Sequence, residues 1–259
     1  MPELIEVETY RRHAEAAVGR TVACVEAPDA WFLKGTTAGE LEAVLPGRRI
    51  EAARRRGKLL VLDLDDGTRL GLRFGMTGRL LVAGSASIDR LEYSSGRNEP
   101  RWDRFTLHLD DGTDLRIRDP RRLGGVMLDP DEDRLGPDAP AVGPGDLDRV
   151  LASSTAPVKA RLMDQGRIAG IGNLLADEIL WRAGIDPARP AGQLDAAERE
   201  RLLSAIHETL DVLTARGGSH TGDLRAALAA DGMCPRDGAR LESRRVGGRS
   251  TWSCPAHQR

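Results

Sequence analysis

Leu62-Asp63-Leu64-Asp65-Asp66-Gly67-Thr68 and Leu107-His108-Leu109-Asp110-Asp111-Gly112-Thr113 nearly repeat each other. In both, apolar and polar residues alternate, run into an Asp-Gly pair, and resume alternating beyond it, at Leu70 and Leu72 in the first copy and Leu115 and Ile117 in the second. A period of two places every second side chain on one face of a strand, and Asp-Gly tolerates the dihedrals of a tight hairpin turn. Two hairpins of like design predict the two layers of a β-sandwich.

Upstream, Leu4, Val7, Tyr10, Ala14 and Ala17 recur at helical spacing, with Glu3 and Glu6 in the first turn, where the helix dipole favours acids. Downstream, Asp129 to Gly145 is rich in Asp, Pro and Gly and reads as a linker. Beyond it the pattern turns helical at Leu147 to Leu151, Val158 to Met163, Leu174 to Ala183 and Ala196 to Ala215, the last stopped by Gly217-Gly218. The residues from Gly232 onward carry too little apolar material to fold by burial alone. The organisation expected is therefore a sandwich domain over 1–128, a linker over 129–145, a helical domain over 146–231 and a small tail over 232–259, an α+β chain.

Apolar residues make up 40% and charged residues 30% of the 259, ordinary for a globular protein. No stretch approaches the roughly 20 apolar residues of a membrane span, and the N-terminus lacks a basic region followed by an apolar core. The cytoplasm is the expected location. The net charge of -2 argues mildly against nucleic acid, yet arginines cluster at Arg54 to Arg56, Arg116 to Arg122 and Arg240 to Arg249 while acids crowd Asp129 to Asp148. A basic cleft on an acidic body is compatible with that distribution, as are separate solvated faces. Lys34, Lys58 and Lys159 are the only lysines among many arginines, so each draws attention.

Cys234-Pro-Arg-Asp237 and Cys254-Pro-Ala-His257 bracket the tail with the spacing of a zinc ribbon, Asp237 and His257 standing where cysteine is usual. A ribbon held by packing without metal fits the same spacing. In Ile168-Ala-Gly170-Ile-Gly172-Asn173 two glycines precede a helix, a pattern that admits a phosphate to backbone N–H groups or simply caps the helix.

Taken in order, several segments resemble one family. These are Pro2-Glu3-Leu4-Ile5-Glu6-Val7-Glu8-Thr9, Arg55-Arg56-Gly57-Lys58, Leu72-Arg73-Phe74-Gly75-Met76-Thr77-Gly78, Asp119-Pro120-Arg121-Arg122-Leu123-Gly124, the glycine motif with Asn173, and the ribbon with Gly248-Arg249-Ser250-Thr251. Together they resemble, end to end, the formamidopyrimidine-DNA glycosylase and endonuclease VIII family, and the opening segment is closer to the formamidopyrimidine branch. The resemblance implies an N-terminal helix with a two-layer β-sandwich, a helix-two-turn-helix domain and a C-terminal zinc-ribbon-like hairpin. It implies a monomer working in the cytoplasm on the nucleoid, with one structural zinc on Cys234, Asp237, Cys254 and His257 and no organic cofactor.

The implied activity is a bifunctional glycosylase and abasic-site lyase of base excision repair acting on duplex DNA. With Met1 removed, Pro2 carries a secondary amine, and an α-amino group titrates near 8, so a useful fraction is neutral and nucleophilic. Attack at C1′ expels the base and leaves a Schiff base, from which β,δ-elimination cuts the strand. The resemblance makes Glu3 the general acid and base, with Glu6 in support; by themselves both acids would only stabilise a helix start. Lys58 resembles a phosphate contact at the lesion, and Lys159, Asn173 and Arg249 resemble backbone contacts. An enzyme acting on a base must evert it and fill the gap, and Met76, Arg121 and Leu123 match the intercalating trio. Leu123 stands where the family has Phe. Between Gly218 and Cys234 the chain is short and lacks most of the loop that closes over everted 8-oxoguanine, so weak activity on that base is expected. The alternatives are a catalytically silent lesion-binding protein, which would not need the Pro2-Glu3 pair, and a glycosylase for bulky or crosslinked lesions.

Overall fold

The computed structural model describes residues 2–88, 91 and 97–259; the initiator Met1, on whose removal the chemistry turns, lies outside them. In chain order the elements are α1 (Leu4–Ala14), β1 (Val22–Glu26), α2 (Ala38–Val44), β2 (Ile50–Arg56), β3 (Leu59–Leu64), β4 (Arg69–Arg73), β5 (Arg79–Val82), β6 (Ser85–Ala86), β7 (Asp103–Leu109), β8 (Asp114–Arg118) and β9 (Gly125–Leu128). There follow α3 (Pro144–Leu151), α4 (Val158–Met163), α5 (Asn173–Ala183), α6 (Ala196–Ala215), α7 (Asp223–Ala230), β10 (Glu242–Val246) and β11 (Arg249–Ser253). Among the described residues no helix is long and apolar enough to cross a membrane.

The chain forms two compact units. The first holds Pro2 and Glu6–Glu132, the second Glu3–Ile5 and Asp133–Arg259. The first unit contains two antiparallel sheets, ordered β1-β7-β8-β5-β6 and β2-β3-β4-β9. Each of the near-repeats lands in a different sheet, as β3–β4 and β7–β8. Their turns are built alike. Leu64 N–H donates to the Thr68 carbonyl at 2.9 Å and Leu109 N–H to that of Thr113 at 2.9 Å. Asp66 and Asp111 each accept the N–H of the Thr two residues on, and Gly67 and Gly112 take φ of +87° and +80°, where a side chain would be strained. Alternation then puts Leu60, Leu62, Leu70 and Leu72 from one sheet and Phe105, Leu107, Leu115 and Ile117 from the other into one core, together with Val7, Tyr10 and Ala14 of α1.

In the second unit α3 to α6 share a core to which Leu4 and Ile5 also belong. The chain passes from the first unit to the second at Glu132/Asp133, within the stretch 129–145 read as a linker, and Pro144 near its end already opens α3. Helix α7 is an element that helical spacing did not disclose. Only Asp231, Gly232 and Met233 separate α7 from Cys234, and the ribbon hairpin β10–β11 follows. The ribbon borrows its burial: Cys234, Leu241 and Cys254 pack with Trp181 of α5 and Leu224 of α7.

Candidate functional site

Glu3 is fully buried, and its carboxylate caps α5. It accepts hydrogen bonds from the backbone N–H groups of Gly172 (2.8 Å), Leu174 (2.9 Å) and Leu175 (3.2 Å). The first N–H groups of a helix have no acceptor within it and form the positive end of its dipole, so a carboxylate there is held in charge-assisted bonds. The close approach requires both glycines. A Cβ on Gly172 would lie 2.2 Å from Glu3 Cδ, and one on Gly170, at φ +112°, would lie 2.4 Å from Leu4 Cδ1. The phosphate cradle considered from the sequence is thereby corrected: the anion seated on this helix is the chain's own Glu3.

Pro2 is bonded directly to Glu3 and is buried, so its ring nitrogen lies within one residue of that fixed carboxylate. Glu6 is 5% exposed on α1, where its charge adds to burial in pushing the Tyr10 phenol far above its ordinary pKa.

The trio Met76, Arg121 and Leu123 lies on two turns of the first unit that share one anchor. Asp119 is fully buried. Its Oδ1 accepts from Thr77 Oγ1 (2.6 Å) and Arg121 N–H (3.1 Å), and its Oδ2 from Leu123 N–H (2.9 Å) and Gly124 N–H (2.9 Å). Arg121 is exposed, Leu123 is 51% exposed and Met76 is half-buried. Between the two exposed tips Arg122 takes φ +56°, uncommon for a residue with a side chain, and its guanidinium is clamped by both oxygens of Asp29 at 2.6 Å. Lys58 is half-buried in the Gly57-Lys58 turn joining β2 to β3, with Gly57 at φ +56°.

The remaining predicted contacts belong to the second unit. Lys159 is 0% exposed: its ammonium pairs with Asp177 at 2.7 Å and donates to Thr251 Oγ1 (2.7 Å) and the Ser250 carbonyl (3.2 Å). A group so enclosed does not present itself to a DNA backbone, which corrects the direct contact expected for it. What it grips is the strand that begins with Arg249, itself exposed. Burial pushes Asp177 up to about 6 and Lys159 down, each opposed by the other's charge. Asn173 begins α5, and its Oδ1 is buried without a hydrogen-bond partner among the described residues. Asp119 and Asp177 stand in motifs that carry the resemblance but have no role of their own in the sequence, and nothing there singles out Asp29. Their partners are distant in sequence, and the one available signal was a polar residue interrupting an apolar pattern.

Cys234 Sγ, an Asp237 oxygen, Cys254 Sγ and a His257 nitrogen all lie within 4.8 Å of one another. His257 Nδ1 sits 2.5 Å from Asp237 Oδ2, and Cys254 Sγ 3.2 Å from the same oxygen. His257 Nε2 lies 3.2 Å from the Trp181 carbonyl, the outer contact that fixes a ligating imidazole with Nδ1 turned inward. Two thiols, a carboxylate and an imidazole at this spacing suit a tetrahedral divalent ion, zinc above all.

A family model for the formamidopyrimidine-DNA glycosylase N-terminal domain matches residues 1–126, and one for the formamidopyrimidine-DNA glycosylase H2TH domain matches 135–224. The chain is 36% identical to a formamidopyrimidine-DNA glycosylase of Alkalilimnicola ehrlichii, covering 100% of both, and 37% identical to one of Chloroflexus aggregans, covering 100% of this chain and 98% of the other. Among solved structures it is similar to Lactococcus lactis Fpg in complex with DNA containing an abasic site, and to the same protein with DNA containing N7-benzyl-Fapy-dG. Each superposes with a TM-score of 0.84 at 28% identity over 100% of both chains.

Proposed function

The chain belongs to the formamidopyrimidine-DNA glycosylase family, and on that footing we propose that it excises ring-opened and oxidised bases from duplex DNA with the amine of Pro2, seated beside Glu3. The observation that carries the proposal is the Glu3 carboxylate, immobilised by three N–H donors one residue from the chain's secondary amine. The family acts as a glycosylase of base excision repair, and damaged duplex DNA is the partner.

The neutral Pro2 nitrogen attacks C1′ of the damaged nucleotide as the bond from C1′ to the base breaks, the base leaving with a proton. Collapse of the sugar ring gives an iminium between Pro2 and C1′. That positive charge acidifies C2′–H, whose loss expels the 3′ phosphate, and a second elimination expels the 5′ phosphate. Water finally releases Pro2. Glu3 relays protons, and Glu6 supports it. Lys58, Asn173 and Arg249 grip the sugar-phosphate backbone, while Met76, Arg121 and Leu123 occupy the gap left by the everted base.

Borohydride treatment of a mixture with abasic duplex is expected to yield a covalent adduct whose peptide map ends at Pro2. Absence of the adduct, or attachment elsewhere, would show a silent binder or a different nucleophile. Run across defined lesions, the same duplexes are expected to rank ring-opened guanine and thymine glycol above 8-oxoguanine opposite cytosine. Support for that order comes from the three residues between α7 and Cys234, too few for a closing loop.

A zinc ion on Cys234, Asp237, Cys254 and His257 supplies a cross-link that holds the ribbon and takes no part in bond breaking. Metal analysis of protein purified without added zinc is expected to return one zinc per chain. A value near zero in folded, DNA-binding protein would remove zinc from the account.

A further inference from the structure

Among the described residues the exposed large hydrophobic side chains are Val18, Trp31 and Leu123, and two of them lie on one surface of the first unit. The segment from Trp31 to Lys34 runs alongside Leu123 to Val126: Lys34 N–H donates to the Val126 carbonyl at 2.8 Å, and Leu33 bridges Val126 in parallel. The packing is close because the facing residues are glycines. A Cβ on Gly124 would lie 2.9 Å from the Phe32 ring, and one on Gly125 2.7 Å from Lys34 Cγ. Phe32 turns fully inward while Trp31 is 67% exposed. Asp29 ties the two segments together, accepting the Trp31 N–H at 3.2 Å as well as the Arg122 guanidinium. Asp29 is buried, and Arg104 stands 3.6 Å from it, so its charge is answered from within. The surface that remains outward is an indole with the Lys34 ammonium 5.0 Å from its ring centroid, on the segment that runs alongside Leu123.

An exposed tryptophan beside a cation is a poor surface for water and a good one for a nucleic acid, since every base presents a π face and every nucleotide a phosphate. We propose that Trp31 is a DNA contact of this protein, its ring stacking on the nucleotide next to the gap that Leu123 fills. Leu123 brings bulk to the gap without a π face; Trp31 brings one from the adjoining segment. The inference rests on the reading of Leu123 as a wedge.

The experiment measures binding of the full chain to a duplex bearing a tetrahydrofuran abasic analogue, for the wild type, W31A, W31F and L123A. Trp31→Ala is expected to weaken binding about tenfold. Trp31→Phe recovers most of that loss, and the dependence of binding on salt is unchanged because no phosphate contact has been removed. Quenching of tryptophan emission on adding duplex is expected to shrink in W31F. Wild-type affinity in W31A, with L123A still weakened, would overturn the role of Trp31 and leave the wedge intact. Wild-type affinity in both would overturn both readings.

Discussion

Gly172→Ala is expected to cut the rate of base release by about 10²- to 10⁴-fold, the range associated with losing a positioned general acid or base. The new methyl would occupy the place of the Glu3 carboxyl group, 2.2 Å from Cδ, and nothing about the backbone itself opposes alanine, since Gly172 has φ -116° in extended conformation. The damage is therefore steric and local: the carboxylate leaves its three N–H donors. Pro2 keeps its amine, and condensation of an amine with an already opened abasic aldehyde needs less help than breaking the bond to a base. Borohydride trapping on preformed abasic duplex is thus expected to survive far better than release of ring-opened guanine. Comparing the two rates in G172A with those in Glu3→Gln separates loss of the seat from loss of the charge. A G172A protein that releases bases at the wild-type rate would mean that the seat of Glu3 has no part in catalysis.

The second large effect concerns stability. Lys159→Met leaves Asp177 buried without its counter-charge, and breaking a buried ion pair in this way costs about 3–5 kcal/mol. The cost depends on pH with a definite sign. Asp177 is already raised to about 6 by burial with the ammonium in place, and removing that ammonium raises it further. A carboxyl whose folded pKa lies above its unfolded value of about 3.9 holds a proton in the native state that the unfolded chain has lost, so stability falls as pH rises through that interval. Denaturant midpoints of K159M are expected to lie nearest the wild type at about pH 5 and to fall away by pH 8 to 9. Lys159→Met with Asp177→Leu, which removes both charges, is expected to regain most of the loss. A K159M deficit that does not change with pH would show that Asp177 is not the group left stranded. Because Lys159 also holds Ser250 and Thr251, K159M should weaken DNA binding through Arg249, and double substitution with Arg249→Ala should be less than additive.

Local pattern made much of this protein legible. The twin Asp-Gly hairpins disclosed both sheets because turn chemistry and alternation are properties of neighbouring residues, and α1, α3, α4, α5 and α6 followed from helical spacing. The grouping of Cys234, Asp237, Cys254 and His257 was legible because the spacing of potential ligands in the chain reflects the geometry an ion would need. What stayed hidden were relations between segments. That Gly172 serves Glu3, separated by most of the chain, has no local trace; nor has the pairing of Lys159 with Asp177, which turned an expected surface contact into a buried clamp. The end of the stretch over 129–145 was placed slightly late because Pro also begins helices, as Pro144 does for α3. Helix α7 was overlooked because the glycines before it suggested a loop.

Asp119 sets the shape of both turns that carry Met76, Arg121 and Leu123, and it does so through one side-chain hydroxyl and three backbone amides. No side chain of the three tips contributes an atom to that anchorage, although Arg121 and Leu123 lend it their backbone amides. The mount and its tools are thus chemically independent, so evolution or an engineer can exchange the tools, as leucine at 123 already illustrates, without rebuilding the handle that holds them.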